Sequence, residues 1–183
     1  AYAMGYTQDD CFLYDPRTSS KKDLDNIKSS TFWLWKGHCS VHQRFRPEHI
    51  HNFRNEYENG IVVVHPETRN EVVQLADVVG STEKIIDYVE QAPSGTVIGV
   101  ATEVHLVQRL AKENADKKVI SLDPLYCPCS TMFRVNLPHL TWCIENIVSG
   151  TPVNEIRVDT GTRHWSRIAL QRMLDITERK VVD

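Results

Sequence analysis

Ile61-Val62-Val63-Val64 is an unbroken β-branched run with no position suited to water. A strand of that kind must be covered on both faces, which is the condition inside a parallel sheet flanked by helices. The neighbouring chain supplies the covers. Pro47 suits a first helical turn, and Ile50, Phe53 and Tyr57 then share one helical face up to the stop signal Asn59-Gly60. Beyond the run, the pattern predicts a helix over 68–76, a short strand over 77–80, a helix over 83–91 begun by Ser81-Thr82, and a strand over 96–100. Thr102 is a candidate N-cap for a helix over 103–114, and a strand over 119–122 follows. Further on come a helix over 137–148 with Pro138 in its first turn, a strand over 154–158 and an amphipathic helix over 162–176. Upstream, 12–14 and 31–35 read as strands separated by a polar stretch, 17–30, that forms a loop or a weak helix. The alternation specifies an α/β chain, a three-layer arrangement of a parallel sheet between helices.

In such sheets ligands bind outside the carboxyl ends of the strands. His65-Pro66-Glu67, Gly80-Ser81-Thr82, Ala101-Thr102-Glu103 and the loop holding Cys127 and Cys129 all fall there, so one rim should gather them. A histidine and a carboxylate at a strand end, His65 and Glu67, can bind an anion and move a proton; a solvated loop is the plainer alternative. Ser81 and Thr82 offer hydroxyls and free backbone N–H groups at a helix start, which is an anion site, though the same residues also make good caps.

The remaining chemistry lies in two cysteine stretches about ninety residues apart, Gly37-His38-Cys39-Ser40-Val41-His42 and Cys127-Pro128-Cys129-Ser130-Thr131-Met132. Cys39 follows a strand and a glycine and sits beside His38 and His42, poor neighbours for a core; the alternative is a small buried hydrophobe. Cys127-Pro128-Cys129 reads as one or two ligands on a turn too tight for an unstrained disulfide, or else as a buried turn. Cys143, beside Trp142 and Ile144 in a helix, and Cys11, ahead of a strand, read as structural. Neither stretch closes a four-ligand site alone. Zinc would take His38 or His42 besides the cysteines. An iron–sulfur cluster would take thiolates. Spacing leaves both open.

Composition narrows the class. With a net charge of −3 and no Lys/Arg cluster, 183 residues offer nucleic acid no electrostatic footprint. The apolar runs are too short for a membrane helix. The five cysteines are an odd number and residues 1–10 lack a signal-peptide pattern, so a reducing, cytoplasmic setting is expected.

Several stretches resemble quinolinate synthase, the iron–sulfur enzyme family of NAD biosynthesis. They are Trp35-Lys36-Gly37-His38-Cys39-Ser40-Val41-His42-Gln43-Arg44-Phe45, Val64-His65-Pro66-Glu67, Ala76-Asp77-Val78-Val79-Gly80-Ser81-Thr82, Ala101-Thr102-Glu103-Val104, Arg109-Leu110-Ala111-Lys112-Glu113-Asn114, Cys127-Pro128-Cys129-Ser130-Thr131-Met132 and Asn136-Leu137-Pro138-His139-Leu140. Order and spacing match over roughly residues 31–175. The resemblance implies a transferase that condenses iminoaspartate with dihydroxyacetone phosphate, losing phosphate and two waters to give quinolinate. It implies three similar α/β domains, each giving one cysteine to a [4Fe–4S] cluster whose fourth iron is open to substrate as a Lewis acid. By matching, Cys39 is the second domain's ligand and Cys129 the third's, with Cys127 the less favoured choice. His65 and Glu67 face substrate as catalytic residues, Glu67 as the proton-transfer group, and Ser81 and Thr82 hold a carboxylate or phosphate.

The first domain, with its cysteine and its substrate-binding histidine and tyrosine, has no counterpart here, and Cys11 does not sit in its motif. The expectation is therefore the C-terminal half of a synthase. Residues 1–45 would be the rear part of the second domain, 46–150 a complete third α/β domain with the cluster-ligand loop, and 151–183 a C-terminal strand and helix. Such a chain would work only with the missing N-terminal domain, in cis or in trans. The alternatives are a non-catalytic metal-binding or regulatory module that kept the fold, and a truncation whose exposed face promotes self-association.

Overall fold

The structure, a computed structural model, describes residues 5–18, 20, 23–125 and 128–179. In chain order its strands and α-helices are β1 (Cys11–Tyr14), α1 (Leu24–Ser29), β2 (Phe32–Trp35), α2 (Pro47–Glu56), β3 (Ile61–Val64), α3 (Asn70–Val73), β4 (Val78–Val79), α4 (Thr82–Gln91), β5 (Val97–Ala101), α5 (Val104–Glu113), β6 (Lys118–Ser121), α6 (Leu137–Val148) and α7 (Thr160–Arg179). Packing divides the chain into two compact units, Ala1–Met132 and Phe133–Asp183.

The first unit is an α/β fold built on a parallel sheet with the strand order β4–β3–β5–β6. β3 pairs with β4 on one side and β5 on the other, so both its edges and both its faces are occupied. That is why its sequence can be continuously apolar. Alternate side chains leave opposite faces of a strand. Val62 and Val64 pack with Phe45, Ile50, Phe53, Val72 and Leu122. Val63 packs on the other face with Ile85, Val89, Val107 and Leu110. These are the two interfaces of a three-layer sandwich, and α2 closes one of them with the buried Ile50 and Phe53. Gly99 in β5 permits this approach: a Cβ there would lie 2.7 Å from Leu122 Cδ2 and 3.0 Å from the Phe53 ring.

The helix starts are locally encoded. Ser81 caps α4, its hydroxyl accepting the Lys84 N–H at 3.3 Å. The cap of α5 is Glu103 rather than the expected Thr102. The longer carboxylate accepts the N–H groups of His105 (2.8 Å) and Leu106 (3.3 Å), which leaves the Thr102 hydroxyl for another partner. α3 is shorter than the 68–76 expected, because Thr68 instead closes a turn on the His65 carbonyl through both its N–H and its hydroxyl.

β1 and β2 form a separate two-stranded parallel sheet. Leu13, Trp33, Leu34 and Trp35 are exposed on it. Two strands alone are marginal in water, and such a pair is ordinarily part of a larger sheet.

In the second unit, α6 starts from an Asn136 side chain that accepts the His139 N–H at 3.0 Å. The strand expected over 154–158 does not form; Asn154 takes a left-handed φ of 60° and Ile156 is exposed. Among the described residues of this unit there is no strand to pair with it, and an isolated extended segment gains no ladder. Both helices keep apolar side chains exposed, among them Leu137, Ile144, Ile147, Trp165, Leu170 and Ile176.

The two cysteine stretches lead into the same local structure at a fixed interval. A short 3-10 helix covers His42–Arg44 after Cys39 and another covers Met132–Arg134 after Cys129. The helices that follow start at Pro47 and Leu137, each with a proline in its first turn.

Candidate functional site

Because all four strands of the main sheet are parallel, their carboxyl ends share one rim. β3 runs into His65-Pro66-Glu67, β4 into Gly80-Ser81, β5 into Thr102-Glu103 and β6 towards the loop of Cys129. The rim also receives the loop after β2, which carries Cys39.

His42 ties this cysteine loop to the rim. It follows Cys39 by three residues and opens the 3-10 helix His42–Arg44. Its ring is buried, with Nδ1 3.1 Å from Glu67 Oε2 and Nε2 3.3 Å from the Thr102 hydroxyl. It also stacks on His65, with ring centroids 4.3 Å apart and planes 9° from parallel. His65 Nδ1 accepts the backbone N–H of Glu67 at 3.2 Å, so that nitrogen carries no proton. Burial, and secondarily the neighbouring His42, lowers the His65 pKa below the ordinary imidazole value, which keeps the ring neutral near pH 7. A neutral imidazole beside a solvent-facing carboxylate can position a substrate oxygen while the carboxylate exchanges a proton with it.

Backbone contacts fix the loops against each other. The Gln43 side chain donates to the Glu67 carbonyl (3.1 Å), and Arg69 Nε donates to the Gln43 carbonyl (3.0 Å). Trp35, Gly37, His38, Cys39, Gln43 and Glu67 line a cleft of about 610 Å³, so one thiol and one carboxylate open onto the same space.

Cys129 lies beyond β6 in the chain and meets the residue that follows Thr102. Its N–H donates to Glu103 Oε1 at 3.4 Å, next to the Thr102 that meets His42. Its sulfur accepts the Met132 N–H at 3.5 Å. One bond ties the segment after Cys39 to the segment before Cys129: Arg44 Nε donates to Asp123 Oδ2 at 2.9 Å, with Asp123 buried just past β6. Burial opposes ionisation of Asp123, but the Arg44 hydrogen bond and the Leu125 N–H outweigh it and hold the carboxyl below its ordinary value.

Among the sequence candidates, Cys39, His65 and Glu67 therefore meet around His42. Cys129 reaches the neighbouring Glu103. Ser81 and Thr82 stand exposed at the start of α4, the Ser81 hydroxyl engaged as its cap. Cys127 lies outside the described residues. Cys11 and Cys143 are half-buried free thiols. Sequence reasoning gave His42 no role beyond a supplementary ligand and overlooked Thr102 as its partner, because both of its contacts lie far off in the sequence. Among the described residues no helix is long and apolar enough to cross a membrane.

The family model described as quinolinate synthetase A protein matches residues 15–175. Proteins named quinolinate synthase are similar along nearly the whole chain. That of Acidobacterium capsulatum is 49% identical over 179 residues, covering 96% of this chain and 48% of the relative. That of Rhodopirellula baltica is 45% identical over 179 residues, covering 96% and 45%. That of Bacillus cytotoxicus is 44% identical over 175 residues, covering 96% and 48%. The chain thus spans about half the length of the curated relatives it matches.

Proposed function

Since the chain belongs to the quinolinate synthase family, we propose that it is the C-terminal half of such an enzyme, condensing iminoaspartate with dihydroxyacetone phosphate to quinolinate for NAD biosynthesis in the cytoplasm. The observation that carries this reading is the shared cleft of Cys39 and Glu67 at the carboxyl rim of a parallel sheet.

The donor set suits part of an iron–sulfur site. Cys39 and Cys129 are free, half-buried thiols on loops, and the Met132 N–H contact orients the Cys129 sulfur. These two residues would hold a [4Fe–4S] cluster together with a thiolate from the missing half. When bound, such a cluster supplies Lewis-acid polarisation of a substrate oxygen. Glu67 accepts and returns the proton at the reacting carbon through its exposed carboxylate. His42 orients Glu67 from behind, and the Thr102 hydroxyl holds the other ring nitrogen. His65, with Nδ1 engaged by the Glu67 N–H, keeps a proton on Nε2 to donate to a substrate oxygen. Ser81 and Thr82, at the start of α4, take a substrate carboxylate or phosphate.

The exposed apolar surfaces support a missing half, supplied in cis or in trans. β1–β2 presents Trp33 and Trp35 to solvent, as the rear of an interrupted α/β domain over 1–45 would. α6 and α7 show apolar faces that a further α/β layer would cover.

The test uses a full-length chain, prepared anaerobically. Glu67→Gln removes a proton acceptor but no thiolate, so it should keep the cluster's visible absorption and cut turnover by about 100-fold or more. Undiminished turnover would remove Glu67 from the mechanism.

A further inference from the structure

Besides the two cysteine loops, the rim holds a ligand set of a different kind. Cys39 Sγ, a ring nitrogen of His42 and a Glu67 carboxylate oxygen all lie within 4.8 Å of one another. We propose that these three residues form a mononuclear site for a borderline-soft divalent cation, zinc above all, with the fourth position left to water. The site is distinct from a cluster in stoichiometry, ligand types and its independence of Cys129, and it competes for the Cys39 thiolate.

Four observations support it. The first is chemical. One thiolate, one imidazole and one carboxylate make a mixed S/N/O set of the kind zinc accepts, and the two anions neutralise a dication. The second is geometric. Tetrahedral zinc with ordinary bond lengths separates its ligand atoms by roughly 3.3–3.6 Å. His42 Nδ1 and Glu67 Oε2 are already 3.1 Å apart, and the Glu67 side chain is 59% exposed and free to adjust.

The third observation is the outer partner. A metal-binding imidazole ordinarily donates its other N–H to a fixed oxygen, which sets tautomer and ring orientation. The Thr102 hydroxyl stands 3.3 Å from His42 Nε2, buried at the end of β5, in the place where that acceptor belongs. Stacking on His65 holds the ring plane. The fourth is access: Cys39 and Glu67 line the open cleft of about 610 Å³. On binding, the Cys39 thiol loses its proton to solvent. The His42 proton moves from Nδ1, where it faces Glu67, to Nε2, where it is donated to Thr102. The metal then takes the Nδ1 lone pair.

The test titrates the reduced, metal-free chain with cobalt(II) and then zinc under anaerobic conditions. One equivalent of cobalt should give a thiolate-to-cobalt charge-transfer band with the intense visible bands of a four-coordinate ion, and one equivalent of zinc should abolish both. Cys39→Ser should abolish the charge-transfer band, whereas Cys129→Ser should leave it unchanged. Thr102→Val should weaken zinc binding about 10–100-fold while keeping the same cobalt spectrum. Far-UV circular dichroism checks that each variant folds. Zinc-edge X-ray absorption on the unmutated chain gives a readout that needs no variant, with one sulfur and the rest nitrogen or oxygen expected. Two or more sulfurs around zinc, no sulfur at all, or loss of the band in Cys129→Ser would overturn the proposal. None of these readouts depends on cluster assembly or turnover, so the synthase reading could fail while this site stands, and the reverse.

Discussion

Arg44 and Asp123 join the segment after Cys39 to the segment before Cys129, and their unequal exposure makes the bond's energetics asymmetric. The Asp123 side chain is 7% exposed and the Arg44 side chain 37%. Removing the guanidinium leaves a buried carboxylate supported by the Leu125 N–H at 2.9 Å and by the electrostatic influence of nearby His49. Arg44→Met keeps much of the aliphatic stem and removes the charge together with the Nε–H donor. It should cost about 2–3 kcal/mol, below the figure for a fully buried pair because one partner already faces water. Asp123→Asn keeps the acceptor for Leu125 and leaves Arg44 able to hydrate, so about 1 kcal/mol is expected. Urea unfolding reads both. With a slope of about 2 kcal/mol per molar, the midpoint should fall by roughly 1–1.5 M in Arg44→Met and about 0.5 M in Asp123→Asn. The pH dependence carries a sign. Asp123 has a lowered folded pKa, so its contribution is present above the unfolded value, about 3.9, and is lost as pH falls through the folded value. In Arg44→Met the buried carboxyl instead gains from protonation. The gap between that variant and the unmutated chain should therefore narrow as pH drops from 7 towards 4. Equal losses in the two variants, or a gap that does not change with pH, would refute the burial argument.

Other perturbations test the scaffold. Gly99→Ala places a methyl within 2.7 Å of Leu122 Cδ2 and should cost about 1–3 kcal/mol in urea unfolding; a neutral result would mean that α2 can retreat from the sheet. Glu103→Ala removes the α5 cap and the acceptor of the Cys129 N–H. It should cost about 1–2 kcal/mol and speed hydrogen exchange at the Cys129 amide, while unchanged exchange would leave Glu103 as a helix cap alone.

Much of the fold was legible because its signals are local. The β-branched run of β3, Pro47 at the start of α2 and Ser81 before α4 each specify an element from a few residues. Thr102 was misread because Glu103 competes for the same N–H groups and reaches them better, and the freed hydroxyl then became the partner of His42. The strand expected over 154–158 depended on a partner strand, and the second unit has none among its described residues. In the site, His65, Glu67 and Cys39 could be read from strand ends and glycines. The position of His42 could not. Its contacts span 25 residues to Glu67 and 60 to Thr102, and only the sheet order brings those together. Ser81 shows the limit in the other direction, since the residues of an anion site and of a helix cap are the same and the hydroxyl is engaged as a cap.

Cluster content after anaerobic reconstitution of the full-length chain and its single serine variants tests the account most directly. Cys39→Ser and Cys129→Ser should each abolish the broad visible absorption and the matched iron and sulfide content, while Cys127→Ser should retain both. A full complement of iron and sulfide in either of the first two variants, or its loss in Cys127→Ser, would contradict the assignment of Cys39 and Cys129 to one cluster.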